Sequence, residues 1–499
     1  MTAPTLIIGA GIAGLWTALK LAPHPVILLT GSPLGEGAAT GWAQGGVAVS
    51  AGRGDSSASH TADTIAAGAG LTHPDAARAL AFGIGREVGA LRTLGVPFEM
   101  DESGQLSMGL EAAHSHPRIA HIKGDQAGAL ILDTLVRAVR NADHITVREN
   151  WWATALMPST HGGCAGVMAR DDDDVQHIIN AGQTVLATGG YGGLFADTTC
   201  PHGATGQAMA MAARLGVEVR NPEFIQFHPT AIQTGSDPLP LATEALRGDG
   251  AKLVDRDGQS ITNGQDLGAR DVVARAVHLA IQSGRGAFLD ARGAVGKKFP
   301  QAFPGVFSAC MAAGIDPRCE SIPIAPAAHY TMGGIATDID GRTSMNGLWA
   351  IGECACNGLH GANRLASNSL AEGLVFGHRA ALAIKGEPEK AWTPEPSNID
   401  EPPQLPRIAF NGLRRAMSDL AGVTRNRSSL SDLLVRIDRL QARYGETNEI
   451  LTARLVAEAA LGRTESRGGH YRDDYPRSRS RAIDTVLNSA HEQRLVAAE

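Results

Sequence analysis

A chain of 499 residues with 43% apolar content is long enough for two or three domains with buried cores, which excludes the disordered and fibrous classes. A net charge of −7 argues against nucleic acid as the main partner, because phosphate binding draws on clustered Lys and Arg. The 60 glycines beside only 4% aromatics suit an α/β protein whose loops come close to phosphates and a flat ligand.

The chain opens with a strand, Thr5–Ile8, a glycine-rich turn, a helix from about Ala10 to Leu21 and a second strand, Val26–Thr30. That is the βαβ start of a doubly wound nucleotide-binding domain. In the turn, Gly9-Ala10-Gly11-Ile12-Ala13-Gly14 gives one glycine for the bend, one to admit a pyrophosphate and one to let helix and strand pack. Such a site usually carries an acid at the end of the second strand; here the strand ends at Thr30, which offers a weaker, neutral contact. Ala39-Thr40-Gly41-Trp42-Ala43-Gln44-Gly45-Gly46 follows, a glycine-set stretch with backbone amides and one side-chain amide that by itself reads as a loop.

Farther on, Gly166–Ala187 reads as strands around the acidic run Asp171–Asp174, a solvated hairpin tip. Between about Asn221 and Tyr330 the pattern changes to Pro/Gly-punctuated loops with one clear helix, Arg270–Gln282, in which Val272, Val273, Ala276 and Leu279 fall on one face. Nucleotide-domain character returns in a strand over Gly347–Gly352 and a helix over Asn368–Ala383. A proline-rich linker leads to a helical tail, where Leu430, Leu433, Leu434, Ile437 and Leu440 recur behind the cap candidates Ser428 and Ser429, and a second helix runs through Ile450–Leu461. The expected division is 1–220 with 331–386 as a discontinuous nucleotide domain, 221–330 as a cap, 387–406 as linker and 407–499 as a C-terminal helical domain. The basic stretch Arg477-Ser-Arg-Ser-Arg481 reads as a solvated face.

The six cysteines show no CxxC pair and no metal-ligand spacing, which predicts reduced thiols and no metal. No basic leader precedes the first strand, and no apolar run approaches the ~20 residues that span a bilayer, so a cytoplasmic protein without a membrane partner is expected.

Several longer motifs occur in one order: Gly9–Gly14, Ala43–Gly46, Gln226-Phe-His228-Pro-Thr230, Thr243-Glu244-Ala-Leu-Arg247-Gly, Ala328-His329-Tyr330 and His360-Gly-Ala-Asn-Arg364-Leu-Ala-Ser-Asn-Ser369. The tail adds Thr464-Glu-Ser-Arg467-Gly-Gly-His470 and Asp474-Tyr-Pro476. On this series the chain resembles the succinate dehydrogenase/fumarate reductase flavoproteins over nearly its whole length. The resemblance implies an α/β, Rossmann-like, doubly wound FAD-binding domain with an inserted α+β capping domain and a C-terminal helical bundle.

It also implies FAD-dependent oxidation of a small dicarboxylate. The stretch Leu110-Glu111-Ala-Ala-His-Ser-His116 is similar to that of the members acting on L-aspartate, which form iminoaspartate, are reoxidised by oxygen or fumarate and begin de novo NAD synthesis by way of quinolinate. Quinolinate synthase is then the partner that receives the product.

Two carboxylates need clamps at both ends to hold the reacting C–H against a flavin. The resemblance gives His329 and Arg364 to one carboxylate, His228 and Thr243 to the other, and Glu111 to the α-ammonium group. It makes Arg270 the proton-transfer group, relaying through Gln226, Glu244 and Arg247. An arginine is a poor base at its usual pKa above ~12, so this role requires nearby cations, desolvation or a linked relay. Glu353, Ser369 and Leu370 become further FAD contacts, and Gln207 replaces the aspartate of a Gly-Asp-Gly in relatives. Ala39 occupies the position of the histidine that binds flavin covalently in some dehydrogenases, so the FAD is expected to be non-covalent. Two alternatives stand beside this reading. One is a fumarate reductase or succinate dehydrogenase subunit, which predicts covalent flavin or an iron–sulfur partner. The other is a flavin-binding protein of RNA modification or redox sensing that turns over no dicarboxylate.

Overall fold

The computed structural model describes residues 3–388, 392–394, 401–487 and 493–497. Of the linker expected over 387–406, residues 389–391 and 395–400, with Pro396 among them, lie outside the described residues.

Thr5–Ile8 pairs in parallel with Val26–Thr30 on one side and Gln183–Leu186 on the other, and Ile145–Glu149 and Leu348–Ala350 complete a five-stranded parallel sheet. Strands covered on both faces read as continuous apolar runs, as Leu6-Ile7-Ile8 does. Ile7 enters an apolar cluster shared with the helices Ile12–Lys20, Pro74–Thr93, Ala127–Arg140 and Asn368–Gly386. Leu6 and Ile8 enter the opposite cluster, which takes in the helix Gln207–Arg214 and the tail helices. The acidic run sits between Cys164–Arg170 and Gln176–Asn180, an antiparallel pair whose turn exposes Asp172 and Asp173.

A second, antiparallel sheet joins Ile225–Ile232, Ile322–Thr331, Phe288–Asp290 and Lys252–Val254 around its own apolar cluster. The helix Arg270–Gln282 packs on Ile225–Ile232. Its buried face differs from the expected one. Val273, Ala274, Val277 and Ala280 are buried together with Arg270, while Val272 and Leu279 are 49% and 56% exposed. Apolar spacing alone offers two neighbouring stripes on this helix, and docking onto the strand selects the stripe that carries Arg270.

The tail forms three helices, Arg407–Leu420, Arg427–Tyr444 and Asn448–Gly462. Leu430, Leu433 and Ile437 are buried, with Leu434 and Leu440 packed at the margin. The cap of the middle helix is Asn426, not Ser428 or Ser429: its side chain accepts from Ser429 N at 2.9 Å, and Ser429 Oγ accepts from Asn426 N at 3.2 Å. After the helices the chain returns as a strand, Ile483–Leu487, antiparallel to Val219–Arg220, an element that helical periodicity does not announce. All six cysteines are unpaired. Among the described residues no helix is long and apolar enough to cross a membrane, and no His/Cys/Asp/Glu group could hold a metal.

Candidate active site

A cleft of about 640 Å³ runs along the glycine turn. Gly9, Ala10, Gly11, Ala13, Thr30, Ala39, Thr40, Gln44, Gly45 and Gly46 line one part of it, and Gln207, Glu353, Ser369 and Leu370 another. Gly9 has φ +111°, and a Cβ there would meet Ala187 O at 2.2 Å, so only glycine makes this bend. Gly14 lies behind the wall: a Cβ on it would stand 2.0 Å from Gly9 O, so it serves helix–turn packing and not ligand contact. Ile12 N donates to Thr40 Oγ1 at 3.0 Å, fastening the next loop to the start of the helix Ile12–Lys20, whose N-terminal amides suit a pyrophosphate.

Thr30 donates its hydroxyl to Ser32 O at 3.1 Å within its own turn, and the acid that reaches the wall nearby is Glu36. Glu353 Oε1 accepts from Thr331 N at 3.0 Å and Thr331 Oγ1 at 3.2 Å, and burial pushes its pKa up to about 7. Gln44 Oε1 is buried with no partner among the described residues. The glycine bend, the helix N-terminus and this open acceptor fit FAD.

The substrate end draws on separate elements. His228 sits on Ile225–Ile232, His329 on Ile322–Thr331, Arg270 opens its helix, and Thr243 and Glu244 lead into Ala245–Gly248. Glu111 comes from the loop between Met108–Gly109 and Ile119–Ala120, and Arg364 from the loop before Asn368–Gly386. All of these side chains line the cleft. The two imidazoles meet edge to face, 5.1 Å apart at 66°. His329 Nδ1 is 2.9 Å from Thr199 Oγ1, and His228 Nδ1 is 3.2 Å from Thr230 Oγ1 while its Nε2 has no partner among the described residues. Burial, and then the Arg270 charge, holds both imidazoles well below their usual pKa, so each is neutral at pH 7. Burial and Arg270 also bring Arg364 down to about 10, still a cation.

Arg270 donates from Nε to Glu244 Oε2 at 2.7 Å and from Nη1 to Gln226 Oε1 at 3.0 Å. Arg364 Nη2 donates to the same Gln226 oxygen at 3.1 Å, so one amide carbonyl bridges two guanidiniums. Gln226 Nε2 in turn donates to Asn363 Oδ1 and Arg364 O, both at 2.9 Å. Arg247 Nη2 stands 3.6 Å from Glu244 Oε2. Gln226 and Arg247 do not line this cleft; Gln226 is bonded directly to Arg270, and Arg247 faces it through Glu244. Burial opposes ionisation of Glu244, but Arg270 and Arg247 outweigh it and hold the carboxyl at about 2. Glu111 goes the other way: burial, then the Glu244 charge, raises its pKa, while Ser367 Oγ donates to Glu111 Oε2 at 2.6 Å.

The FAD binding domain family matches residues 5–370, and the family described as fumarate reductase flavoprotein C-term matches residues 447–491. An L-aspartate oxidase of Caulobacter vibrioides is 49% identical over 478 residues, covering 94% of this chain and 93% of that protein. One of Mesorhizobium japonicum is 43% identical, covering 97% and 94%. The chain belongs to the L-aspartate oxidase family. Like its relatives it is an FAD-dependent oxidoreductase. A quinol-fumarate reductase solved with menaquinol shares the fold at TM-score 0.91 and 26% identity, covering 100% of this chain and 98% of that one. A quinol fumarate reductase of E. coli gives TM-score 0.89 at 26% identity, covering 100% and 96%.

Within this family member, Ser367 and Thr199 touch predicted site residues without having been singled out. Ser367 lay inside the quoted motif and carries a left-handed φ of +58°, which no sequence pattern revealed. Thr199 is distant in sequence from His329, and only the fold joins them. The tail motif has a structural use: Gly469 N donates to Ala362 O at 2.8 Å, bracing the loop that carries Arg364.

Proposed function

We propose that the protein oxidises L-aspartate to iminoaspartate in the deep end of this cleft. The observation that carries the reading is the meeting of the Glu111 carboxyl with the guanidiniums of Arg270 and Arg364 and two neutral imidazoles around a single space. A dicarboxylate needs the cations, and an α-ammonium needs the carboxylate. Arg364 and His329 hold one carboxylate, the former by its planar fork, and His228 and Thr243 hold the other. Glu111 receives the ammonium group, whose positive charge favours the ionised form that burial alone would suppress.

The glycine turn and the Gln44–Gly46 loop would hold FAD, which would supply the hydride acceptor there, with oxygen or fumarate as the final oxidant. Ala39 offers no side-chain nucleophile, so the cofactor is non-covalent. Arg270 handles the proton: as its Nε–H proton passes to Glu244 Oε2, its guanidinium takes one from the substrate nitrogen, and the proton on Glu244 moves on through Arg247 as Arg247 gives up one of its own. Gln226 keeps Arg270 and Arg364 at a fixed separation. We read residues 221–330 as a cap that closes over the substrate and excludes water. The setting is cytoplasmic NAD synthesis, with iminoaspartate handed to quinolinate synthase.

Mixing the holoenzyme with excess L-aspartate without oxygen bleaches the flavin, and Arg270→Lys or Arg270→Leu slows the bleaching by about 10²-fold or more. Normal bleaching in those variants removes Arg270 from the mechanism. Glu111→Gln lowers aspartate turnover and shifts preference toward succinate; unchanged turnover with unchanged preference sinks the ammonium role.

A further inference from the structure

Beneath Arg364 lies a buried polar cluster that the proposed chemistry leaves unused. The Tyr330 ring lies under the guanidinium, with Arg364 Cζ 4.5 Å from the ring centroid. The Tyr330 hydroxyl donates to Glu372 Oε2 and is 3.2 Å from His360 Nε2, which is itself 3.1 Å from the same carboxylate oxygen. The His360 ring meets Tyr330 edge-on at 5.2 Å and 89°. Arg364, Tyr330, His360 and Glu372 are all buried. They come from three places, the strand that also carries His329, the loop that carries Arg364 and the helix Asn368–Gly386.

Arg364 gives its own hydrogen bonds to neutral acceptors, Ser369 Oγ at 3.2 Å and Gln226 Oε1, and its Nε has no partner among the described residues. Those bonds fix two nitrogens but leave the tilt of the plane to be set from below. A fork binds a carboxylate through two parallel bonds only when the two planes agree. An aromatic face restrains a guanidinium plane by stacking and leaves its N–H edge free.

We infer that Tyr330 is a positioning residue for the carboxylate clamp: its ring is the platform that sets the plane of Arg364, and Glu372 with His360 locks the ring through its hydroxyl. This rests on the reading that Arg364 binds a substrate carboxylate. Tyr330 reaches the cleft wall beside Arg364, while His360 and Glu372 lie behind it.

The test uses the FAD-loaded full chain, with succinate titrated by its perturbation of the flavin spectrum and with steady-state kcat and KM for L-aspartate. Tyr330→Leu raises the succinate Kd and the aspartate KM about tenfold, with much less change in kcat and with flavin content retained. Tyr330→Phe, which keeps the ring and loses the tether, raises both by only about threefold, and Glu372→Leu behaves like it. An unchanged Kd in Tyr330→Leu overturns the inference, as does a fall in kcat at constant KM, or a phenylalanine variant as impaired as the leucine one. Should Tyr330→Leu fail to fold, an unchanged Kd in both Tyr330→Phe and Glu372→Leu overturns it. Arg364→Lys is the control. If it leaves the succinate Kd unchanged, the reading of Arg364 fails; if it weakens binding while Tyr330→Leu does not, the platform alone fails.

Discussion

Glu353 keeps its proton in the flavin-free cleft up to about pH 7, against an ordinary value near 4.5. A raised carboxyl pKa means that, between those two values, the folded protein holds a proton the unfolded chain has released. Stability of the flavin-free protein therefore falls as pH rises from about 4.5 to about 7 and is level above that, by about 2 kcal/mol once water in the open cleft is allowed for. Thermal midpoints at pH 5 and pH 8 should show the fall in the parent and lose it in Glu353→Gln; an equal fall in both assigns it elsewhere. Glu244 has the opposite sign, its contribution being present above the ordinary carboxyl range and lost only as pH drops toward about 2. At this scale motifs supply identities but not depth. Gln226 and Arg247 stand in quoted motifs and Arg270 does not, yet Arg270 reaches the cleft and the other two do not, because depth depends on how each strand or helix packs.

Elements were legible where period and punctuation agreed. Thr5–Ile8 and Val26–Thr30 form as read, since an apolar run bounded by glycine or proline admits few alternatives. The middle tail helix shows the limit, because three polar residues, Asn426, Ser428 and Ser429, all suit a cap and the backbone turns at the first. Asn426→Ala should cost about 1 kcal/mol, whereas Ser428→Ala, at an exposed first-turn position, should cost at most a few tenths. Urea midpoints for the two variants decide it, and equal losses would place the cap at Ser428. The helix Arg270–Gln282 makes the same point about faces, since the identity of the buried stripe is settled by the partner strand and not by the helix.

Across the whole molecule, the tail is tied to the rest through buried charge. Arg463 pairs with Glu223 at 2.5 Å and Glu465 at 2.8 Å, and Arg425 Nη1 donates to Glu223 O at 2.8 Å. Removing one partner of such a pair leaves the other charged and unsolvated, so Arg463→Met should destabilise by about 3–5 kcal/mol. A loss below about 1 kcal/mol in chemical denaturation would mean that the pair does not hold the tail. The strand Ile483–Leu487 extends the tie, pairing Leu487 with Val219 and Val486 with Arg220, while Asn221 N donates to Thr485 O at 2.8 Å. On the ribosome this sets an order of events. Every strand of the parallel sheet has emerged long before residue 483, but the sheet containing Val219–Arg220 keeps an open edge until the tail is free to reach it. A chain stopped before residue 483 can shape its glycine turn yet displays an unpaired strand, a form that proteases and chaperones would meet before any substrate does.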